Sequence, residues 1–163
     1  MNHLESLVRE YLEWQGYLVR SNEKVNALSH GGYEMELDIV GYEPHKGTIV
    51  HYEPSIDGNS WAKREERFQK KFSLARKYIR KEIFPWLERD VHIEQIAICV
   101  TRGQRTTLGG GKLITVDEFF SEVRAKVIEQ GPAQSNAISE TYPLLRTIQF
   151  SCVGYTKIIE KKR

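Results

Sequence analysis

The fold of this chain is decided by two neighbouring stretches, Glu34-Met35-Glu36-Leu37-Asp38-Ile39-Val40-Gly41-Tyr42 and Thr48-Ile49-Val50-His51-Tyr52-Glu53. Both alternate polar and apolar side chains, the first more strictly than the second, which is typical of strands with one buried face. Between them, Glu43-Pro44-His45-Lys46-Gly47 has the composition of a turn. The pattern predicts a β-hairpin whose second strand ends, or bulges, at Pro54.

The segments around the hairpin predict a mixed sheet with helices on its faces. In chain order they are a helix at 3–15, a strand at 17–20, a loop at 21–33, a helix at 60–81, a strand at 93–100, a loop at 102–111, a strand at 113–116 and a helix at 117–129. A helix that connects two strands of one sheet makes those strands parallel, whereas a hairpin makes them antiparallel. We therefore expect an α/β fold.

The length of 163 residues predicts a single domain. Gly131-Pro132 opens a polar stretch, so we expect a core over about 3–130 and a C-terminal extension over about 131–163. Within the extension, Pro143 predicts the start of a helix.

Composition excludes several classes of protein. Hydrophobic residues make up 40% and charged residues 28% of the chain, as in globular proteins. No apolar run approaches the ~20 residues that cross a bilayer, and the first residues lack the pattern of a signal peptide. The two cysteines, Cys99 and Cys152, do not form a disulfide framework or a zinc motif. We expect a reduced, cytoplasmic protein without membrane contact.

Charge is unevenly distributed along the chain. Residues 1–58 hold 4 basic and 10 acidic side chains, a balance of −6, whereas residues 59–91 hold 10 basic and 5 acidic side chains, a balance of +5. An acidic cluster beside a basic helix is suited to a divalent cation next to a polyanion. Two ordinary solvated surfaces give the same pattern, and charge by itself favours that interpretation.

Two acidic residues stand out by their position. Asp38 lies in an apolar part of the first hairpin strand, and Glu53 ends the second. On a hairpin, residues that face the same side bring their carboxylates close together, and two close carboxylates need a counter-charge. Mg²⁺ or Mn²⁺ would supply it, so Asp38 and Glu53 are the candidate metal ligands. Alternatively, each is an exposed strand residue.

Taken together, these stretches resemble the PD-(D/E)XK nuclease superfamily. The resemblance rests on Glu5, Gly16-Tyr17-Leu18-Val19, Glu36-Leu37-Asp38-Ile39-Val40 and Ile49-Val50-His51-Tyr52-Glu53. The spacing from Glu5 to Gly16 is similar to that in archaeal Holliday-junction resolvases. The resemblance implies a three-layer, restriction-endonuclease-like core in the order αβββαβ, and magnesium-dependent hydrolysis of phosphodiester bonds in DNA.

The resemblance also implies roles for individual residues. Asp38 matches the metal-binding aspartate, and Glu53 matches the acid of the E-x-K element. Glu5 matches the glutamate of the first helix that completes the acidic cluster in some members. Glu10 lies closer to Gly16 and at the edge of the apolar stripe, so it fits this role less well.

One position departs from the superfamily pattern. The E-x-K lysine falls at position 55, where this chain has serine, and a serine cannot place a positive charge on the scissile phosphate. Lys71 is the candidate replacement, because it shares a helical stripe with Phe68 and Ala75. A lysine in that stripe also fits a side chain that extends to water. Arg64 shares the stripe and is suited to binding phosphate.

The 60–81 helix is strongly basic and suited to tracking a phosphate backbone. Its candidate contacts to nucleic acid are Arg64, Arg67, Lys70 and Lys77. A solvated amphipathic helix has the same composition. The residues therefore leave three functions open: a nuclease, a catalytically inactive module of the same fold that binds nucleic acid or a protein, and a structural protein whose tail, 142–159, docks on a second copy to form a homodimer.

Overall fold

A computed structural model describes residues 2–87 and 91–154 of the chain. It divides the chain into two compact units, Met1–Val116 and Asp117–Arg163. The catalytic candidates and the candidate contacts to nucleic acid all lie in the first unit. In the second unit, the side chain of Gln149 is fully buried and bonds three backbone groups, those of Gly131, Asn136 and Ile138.

The observed elements confirm an α/β protein. They are α1 (His3–Trp14), β1 (Leu18–Ala27), β2 (Tyr33–Glu43), β3 (Thr48–Ser55), α2 (Trp61–Tyr78), β4 (Ile93–Cys99), β5 (Thr107–Leu108), β6 (Gly111–Thr115), α3 (Val116–Gln130), α4 (Ala133–Asn136) and α5 (Pro143–Cys152). A π-helical turn, Ile79–Ile83, extends α2. Ser60 caps α2 by accepting the backbone N–H of Lys63 at 3.5 Å.

Across residues 2–87 and 91–154, six strands form one mixed sheet in the order β1-β2-β3-β4-β6-β5. β2 pairs antiparallel with both β1 and β3, so the predicted hairpin is present. β4 runs parallel to both β3 and β6, and β5 pairs antiparallel with β6. Because α2 connects β3 to the parallel β4, it is the predicted crossover helix.

Helices α1 and α2 cover opposite faces of the sheet. Gly41 of β2 faces α1, where an added Cβ would lie 3.4 Å from Leu12. His51 of β3 faces α2, where its ring lies 5.5 Å from that of Phe72. His51 pairs with Val40, the neighbour of Gly41, and adjacent strand residues point to opposite faces. Asp38 and Glu53 therefore lie on the α2 side of the sheet.

The turn between β5 and β6 packs directly on α2. A Cβ added at Gly111 would lie 2.5 Å from the ring of Phe72, and one at Gly109 would lie 2.5 Å from the backbone N of Gln69. The Gly109 N–H also donates to Glu65 at 3.0 Å. These two glycines allow the turn to approach α2, and the contacts fix the position of the helix over the sheet.

The loop predicted over 21–33 is wrong in its first part, because β1 continues to Ala27. Asn22 and Asn26 adopt left-handed φ angles of 56° and 55° without shifting the register to β2. Asparagine tolerates this conformation better than most residues do. Asn22 lies opposite Asp38 in the register, and in the described part of the chain its Oδ1 is buried without a hydrogen-bond partner.

Two smaller expectations also change. β3 does not end at Pro54, because its pairing with β4 continues through Pro54 and Ser55. The loop predicted over 102–111 contains the short strand β5, which is stabilised by pairing with β6 and not by its own propensity.

Candidate active site

The hairpin places the two predicted acids beside each other. Ile39 pairs with Tyr52, so Asp38 and Glu53 are the next residues along the two strands and lie opposite each other. The backbone N–H of Asp38 donates to Glu53 Oε1 at 3.2 Å. Glu53 is 1% exposed, whereas the side chain of Asp38 is 17% exposed. The pair therefore has a buried member and a member that reaches solvent.

Lys71 of α2 lies between these carboxylates. Its Nζ is 3.1 Å from Asp38 Oδ1 and also donates a hydrogen bond to Glu53 Oε2. The helical stripe of Phe68 and Ala75 faces the sheet, as the apolar periodicity predicts, and it carries Lys71 inward. The structure thus brings together the three residues that sequence reasoning had placed on two strands and a helix.

A cleft of about 160 Å³ opens at this cluster. It is lined by Asp38, Glu53, Pro54, Ser55, Arg67, Phe68 and Lys71. The two acids and two cations make the lining polar, and Phe68 forms an apolar wall. An anion that enters the cleft meets the positive charges of Lys71 and Arg67 beside the carboxylates.

Ser55, two residues after Glu53, belongs to a separate network around Asp57. Its Oγ donates to the Asp57 carboxylate and accepts from Arg67 Nη2 at 2.9 Å. Arg67 also donates to Asp57 Oδ2 at 2.6 Å, and Arg64 Nε approaches Oδ1 at 3.3 Å. The network holds the Arg67 guanidinium at the cleft, beside Ser55.

A chain of buried polar side chains lies behind Glu53. His51 is fully buried, and its Nε2 is 2.8 Å from Glu53 Oε1. Its Nδ1 is 3.4 Å from Gln95 Nε2, which also donates to the backbone carbonyl of Phe72 at 2.9 Å. Arg76 Nη1 donates to Gln95 Oε1. The chain connects the surface of α2 to the acid pair.

Burial and charge shift the proton affinities of the cluster. Burial, reinforced by the neighbouring Glu53, raises the pKa of Asp38 to about 7. Burial by itself lowers the pKa of Lys71, but the carboxylates of Glu53 and Asp38 outweigh it, and the pKa lies above its usual value. Lys71 is therefore a permanent cation at neutral pH, whereas Asp38 exchanges its proton near neutrality.

The pKa values of His51 and Asp57 are both lowered. Burial, with a contribution from the charge of Lys71, lowers the pKa of His51 to about 3, so the ring is neutral at physiological pH. Burial by itself raises the pKa of Asp57, but hydrogen bonds from Ser55 and Arg67 hold it well below the usual range.

Glu5 does not line the cleft described above. Its carboxylate accepts the backbone N–H of Asn2 at 2.8 Å, and Asn2 accepts the N–H of Glu5, so the two form a capping box at the start of α1. The acid of α1 that the structure buries is Glu10, 3% exposed. The sequence signal for Glu5 is the Asn2-His3-Leu4-Glu5 spacing, which is typical of a cap.

The predicted contacts to nucleic acid differ in exposure. The side chain of Arg67 is 41% exposed, and Lys70 and Lys77 are exposed on the outer side of α2. Arg64 is 8% exposed, donates to the backbone carbonyl of Asp57 and stacks on Trp61 at 4.9 Å. Arg64 therefore supports the local structure, whereas the other three cations face solvent.

The donor set of the acid pair fits a small divalent cation. Asp38 and Glu53 each offer a carboxylate oxygen towards the cleft, and Mg²⁺ commonly binds one or two carboxylates together with water and phosphate oxygens. Within residues 2–87 and 91–154, no group of three or more acidic, histidine or cysteine side chains is placed to hold a metal. A cation at this pair would thus complete its coordination with water and substrate.

Sequence reasoning missed Asp57, Gln95 and Arg76. Asp57 follows the strand in a loop with Gly58 and Asn59, and nothing in its local pattern indicates a hub for two arginines. Gln95 lies in the apolar run of β4, where a polar residue among Ile and Ala signals a buried hydrogen bond.

No family model matches the chain, and no curated protein matches it. None of the helices in the described part of the chain has the length and apolar character that a membrane crossing requires.

Proposed function

We propose that the first unit is a metal-dependent nuclease of the PD-(D/E)XK type that hydrolyses phosphodiester bonds in DNA. The observation that carries this proposal is the convergence of Asp38, Glu53 and Lys71 on one open cleft. Two carboxylates and a cation are the groups that metal-assisted phosphate hydrolysis needs, and here they meet although the superfamily lysine is absent from position 55.

The order of elements also supports the proposal. α1, β1, β2, β3, α2 and β4 follow the αβββαβ order of a restriction-endonuclease-like core, with α1 and α2 on opposite faces of the sheet. Fold alone does not assign function, so the weight rests on the cleft.

The side chains divide the chemistry among them. Asp38 and Glu53 would hold Mg²⁺ or Mn²⁺, which lowers the pKa of bound water and neutralises phosphate charge. Lys71 offsets the charge that develops on the phosphate, because its ammonium is fixed beside the acids and partly shielded from water. Arg67 binds a phosphate oxygen at the mouth of the cleft, held there by Ser55 and Asp57.

A cleavage assay tests the proposal. Labelled duplex, four-way junction, single-stranded DNA and RNA are incubated with Mg²⁺ or Mn²⁺ and the wild-type protein, Asp38→Asn or Glu36→Gln. Glu36 is an exposed acid on the same strand, so its variant is the matched control. We expect cleavage by wild type and Glu36→Gln but not by Asp38→Asn. Absence of cleavage on every substrate would reject the nuclease.

The second candidate is a non-catalytic module of the same fold that binds nucleic acid. The observation in its favour is that Lys71 already neutralises the acid pair, which gives the fold a stable site without metal. Binding of DNA that weakens with salt, without cleavage and without an effect of Mg²⁺, would identify this function.

A further inference from the structure

The buried chain behind Glu53 has a fixed hydrogen-bond direction. The guanidinium of Arg76 only donates, so the atom of Gln95 that faces it is the amide oxygen. The carbonyl of Phe72 only accepts, so the atom that faces it, at 2.9 Å, is the amide nitrogen. Two independent contacts therefore assign the same orientation to the Gln95 amide.

The Gln95 orientation determines the tautomer of His51. With its nitrogen towards the ring, Gln95 donates to His51 Nδ1, which is then the acceptor. The proton of the neutral ring is consequently on Nε2, which donates to Glu53 Oε1 at 2.8 Å. All bonds of the chain point in one direction, from Arg76 at the surface to Glu53 at the cleft.

We propose that Gln95 and His51 are positioning residues that hold the Glu53 carboxylate with Oε1 fixed in the interior and Oε2 presented to the cleft. Oε1 accepts two bonds, from His51 and from the Asp38 backbone, while Oε2 accepts from Lys71. The carboxylate is 1% exposed, so no water replaces a lost bond without a rearrangement. The inference that this orientation of the Glu53 carboxylate favours metal binding rests on the proposed function.

The first measurement uses the metal-free protein. Long-range ¹H–¹⁵N spectra at neutral pH report which ring nitrogen of His51 carries the proton. We expect the Nε2–H tautomer in wild type and in Gln95→Met, because the Glu53 carboxylate still accepts from Nε2. The Nδ1 resonance should shift in Gln95→Met, because this variant removes the donor to Nδ1. An exposed glutamine provides the control, Gln104→Met, which should leave the spectrum unchanged. The proposed hydrogen-bond direction would be overturned by a wild-type Nδ1–H tautomer, or by an Nδ1 resonance that is unchanged in Gln95→Met.

The second measurement is Mn²⁺ affinity by calorimetry. His51→Phe preserves the ring contact with Phe72 but removes the donor, and we expect a loss of about 10–100-fold, the usual effect of an outer hydrogen-bond partner. His51→Gln restores a donor and should recover most of the affinity, which a merely structural role would not produce. Unchanged affinity in a folded His51→Phe protein would contradict the proposal.

The two measurements distinguish a failure of the positioning proposal from a failure of the proposed function. If wild type binds no Mn²⁺, the proposed function fails. The His51 spectrum of the metal-free protein and its response to Gln95→Met still test the hydrogen-bond direction. If His51→Phe does not fold, Gln95→Met supplies both readouts, with a loss of Mn²⁺ affinity expected in the same direction.

Discussion

The ammonium of Lys71 lies 3.1 Å from Asp38 Oδ1, although 33 residues separate them along the chain. Position 55, at the end of β3, holds an uncharged serine. The cation beside the two acids therefore comes from α2. The cation of the site thus depends on how a helix packs against the sheet.

The first prediction concerns Lys71. Lys71→Met keeps most of the length of the side chain but removes the charge, and we expect the cleavage rate to fall by roughly 10²–10³, the cost of losing one transition-state charge partner. Single-turnover cleavage measures the rate, and Lys46→Met, at an exposed lysine of the β2–β3 turn, is the control. Mn²⁺ affinity should not fall, because Lys71 is not a ligand. Cleavage at the wild-type rate would remove Lys71 from the chemistry.

The second prediction concerns the metal ligands. Wild type should bind Mn²⁺ in calorimetry and melt at a higher temperature as the metal concentration rises, because the metal binds only the folded state. Asp38→Asn should lose most of this binding and its melting temperature should no longer respond, whereas Glu36→Gln should behave like wild type. Equal binding by Asp38→Asn and wild type would contradict the assignment.

The third prediction concerns the basic helix. Replacing Arg67, Lys70 and Lys77 together by alanine should reduce the slope of log affinity for duplex DNA against log salt by up to about 3, because each phosphate contact contributes about 0.9. The control replaces Arg20, Lys24 and Lys46, which are exposed cations on β1 and on the β2–β3 turn. An unchanged slope in the first variant would place the DNA surface elsewhere, such as the loop around Arg105.

The fourth prediction concerns pH. The pKa of Asp38 is about 7 in the folded protein and about 3.9 in an unfolded chain, so between these values the folded state binds the proton more tightly. Ionisation of Asp38 therefore lowers the free energy of unfolding as pH rises from about 4 to 7. Asp38→Asn lacks this ionisation, and its stability relative to wild type should improve over that range by at most about 4 kcal/mol.

Urea denaturation at several pH values measures the effect, and Asp57→Asn supplies a control of opposite sign. The folded pKa of Asp57 lies below its usual value, so its carboxylate stabilises the protein above that value and the contribution is lost as pH falls. The Asp57→Asn deficit should therefore be largest near neutral pH. Parallel pH profiles for wild type and Asp38→Asn would show that Asp38 titrates normally.

The fifth prediction concerns Asn22, whose φ of 56° suits glycine better than alanine. The free energy of unfolding of Asn22→Gly should exceed that of Asn22→Ala by about 1–2 kcal/mol, the cost of a left-handed conformation with a Cβ. Both variants remove the unpaired buried oxygen of Asn22, so the difference between them reports the backbone strain. Denaturation of the two variants in parallel measures the difference, and equal stability would mean that the backbone relaxes.

Features that repeat locally were predictable from the sequence. The alternation in 34–42 and 48–53 identified the hairpin, and the spacing of Phe68, Lys71 and Ala75 identified the face of α2 that meets the sheet. Both patterns follow from the geometry of a strand or a helix, with periods of 2 and 3.6 residues, and need no information about distant parts of the chain.

Features that depend on distant partners were not predictable. β1 extends through polar residues because β2 pairs with it. Asp57 accepts hydrogen bonds from Arg64 and Arg67 only because α2 packs beside β3. Glu5 is ambiguous for a different reason. Its position suits both the first-helix acid of the superfamily that the sequence resembles and an ordinary cap with Asn2, and the structure contains the cap.

The close packing of Gly109 and Gly111 against α2 bears on which residues of the cluster move together. Asp38 and Glu53 belong to one hairpin and stay together if α2 detaches locally, whereas Lys71 leaves with the helix. The protein then retains its acid pair but has no cation beside it. In the nuclease proposed above, opening of α2 would therefore separate metal binding from phosphodiester cleavage, and the contacts of the β5–β6 turn with α2 oppose that opening.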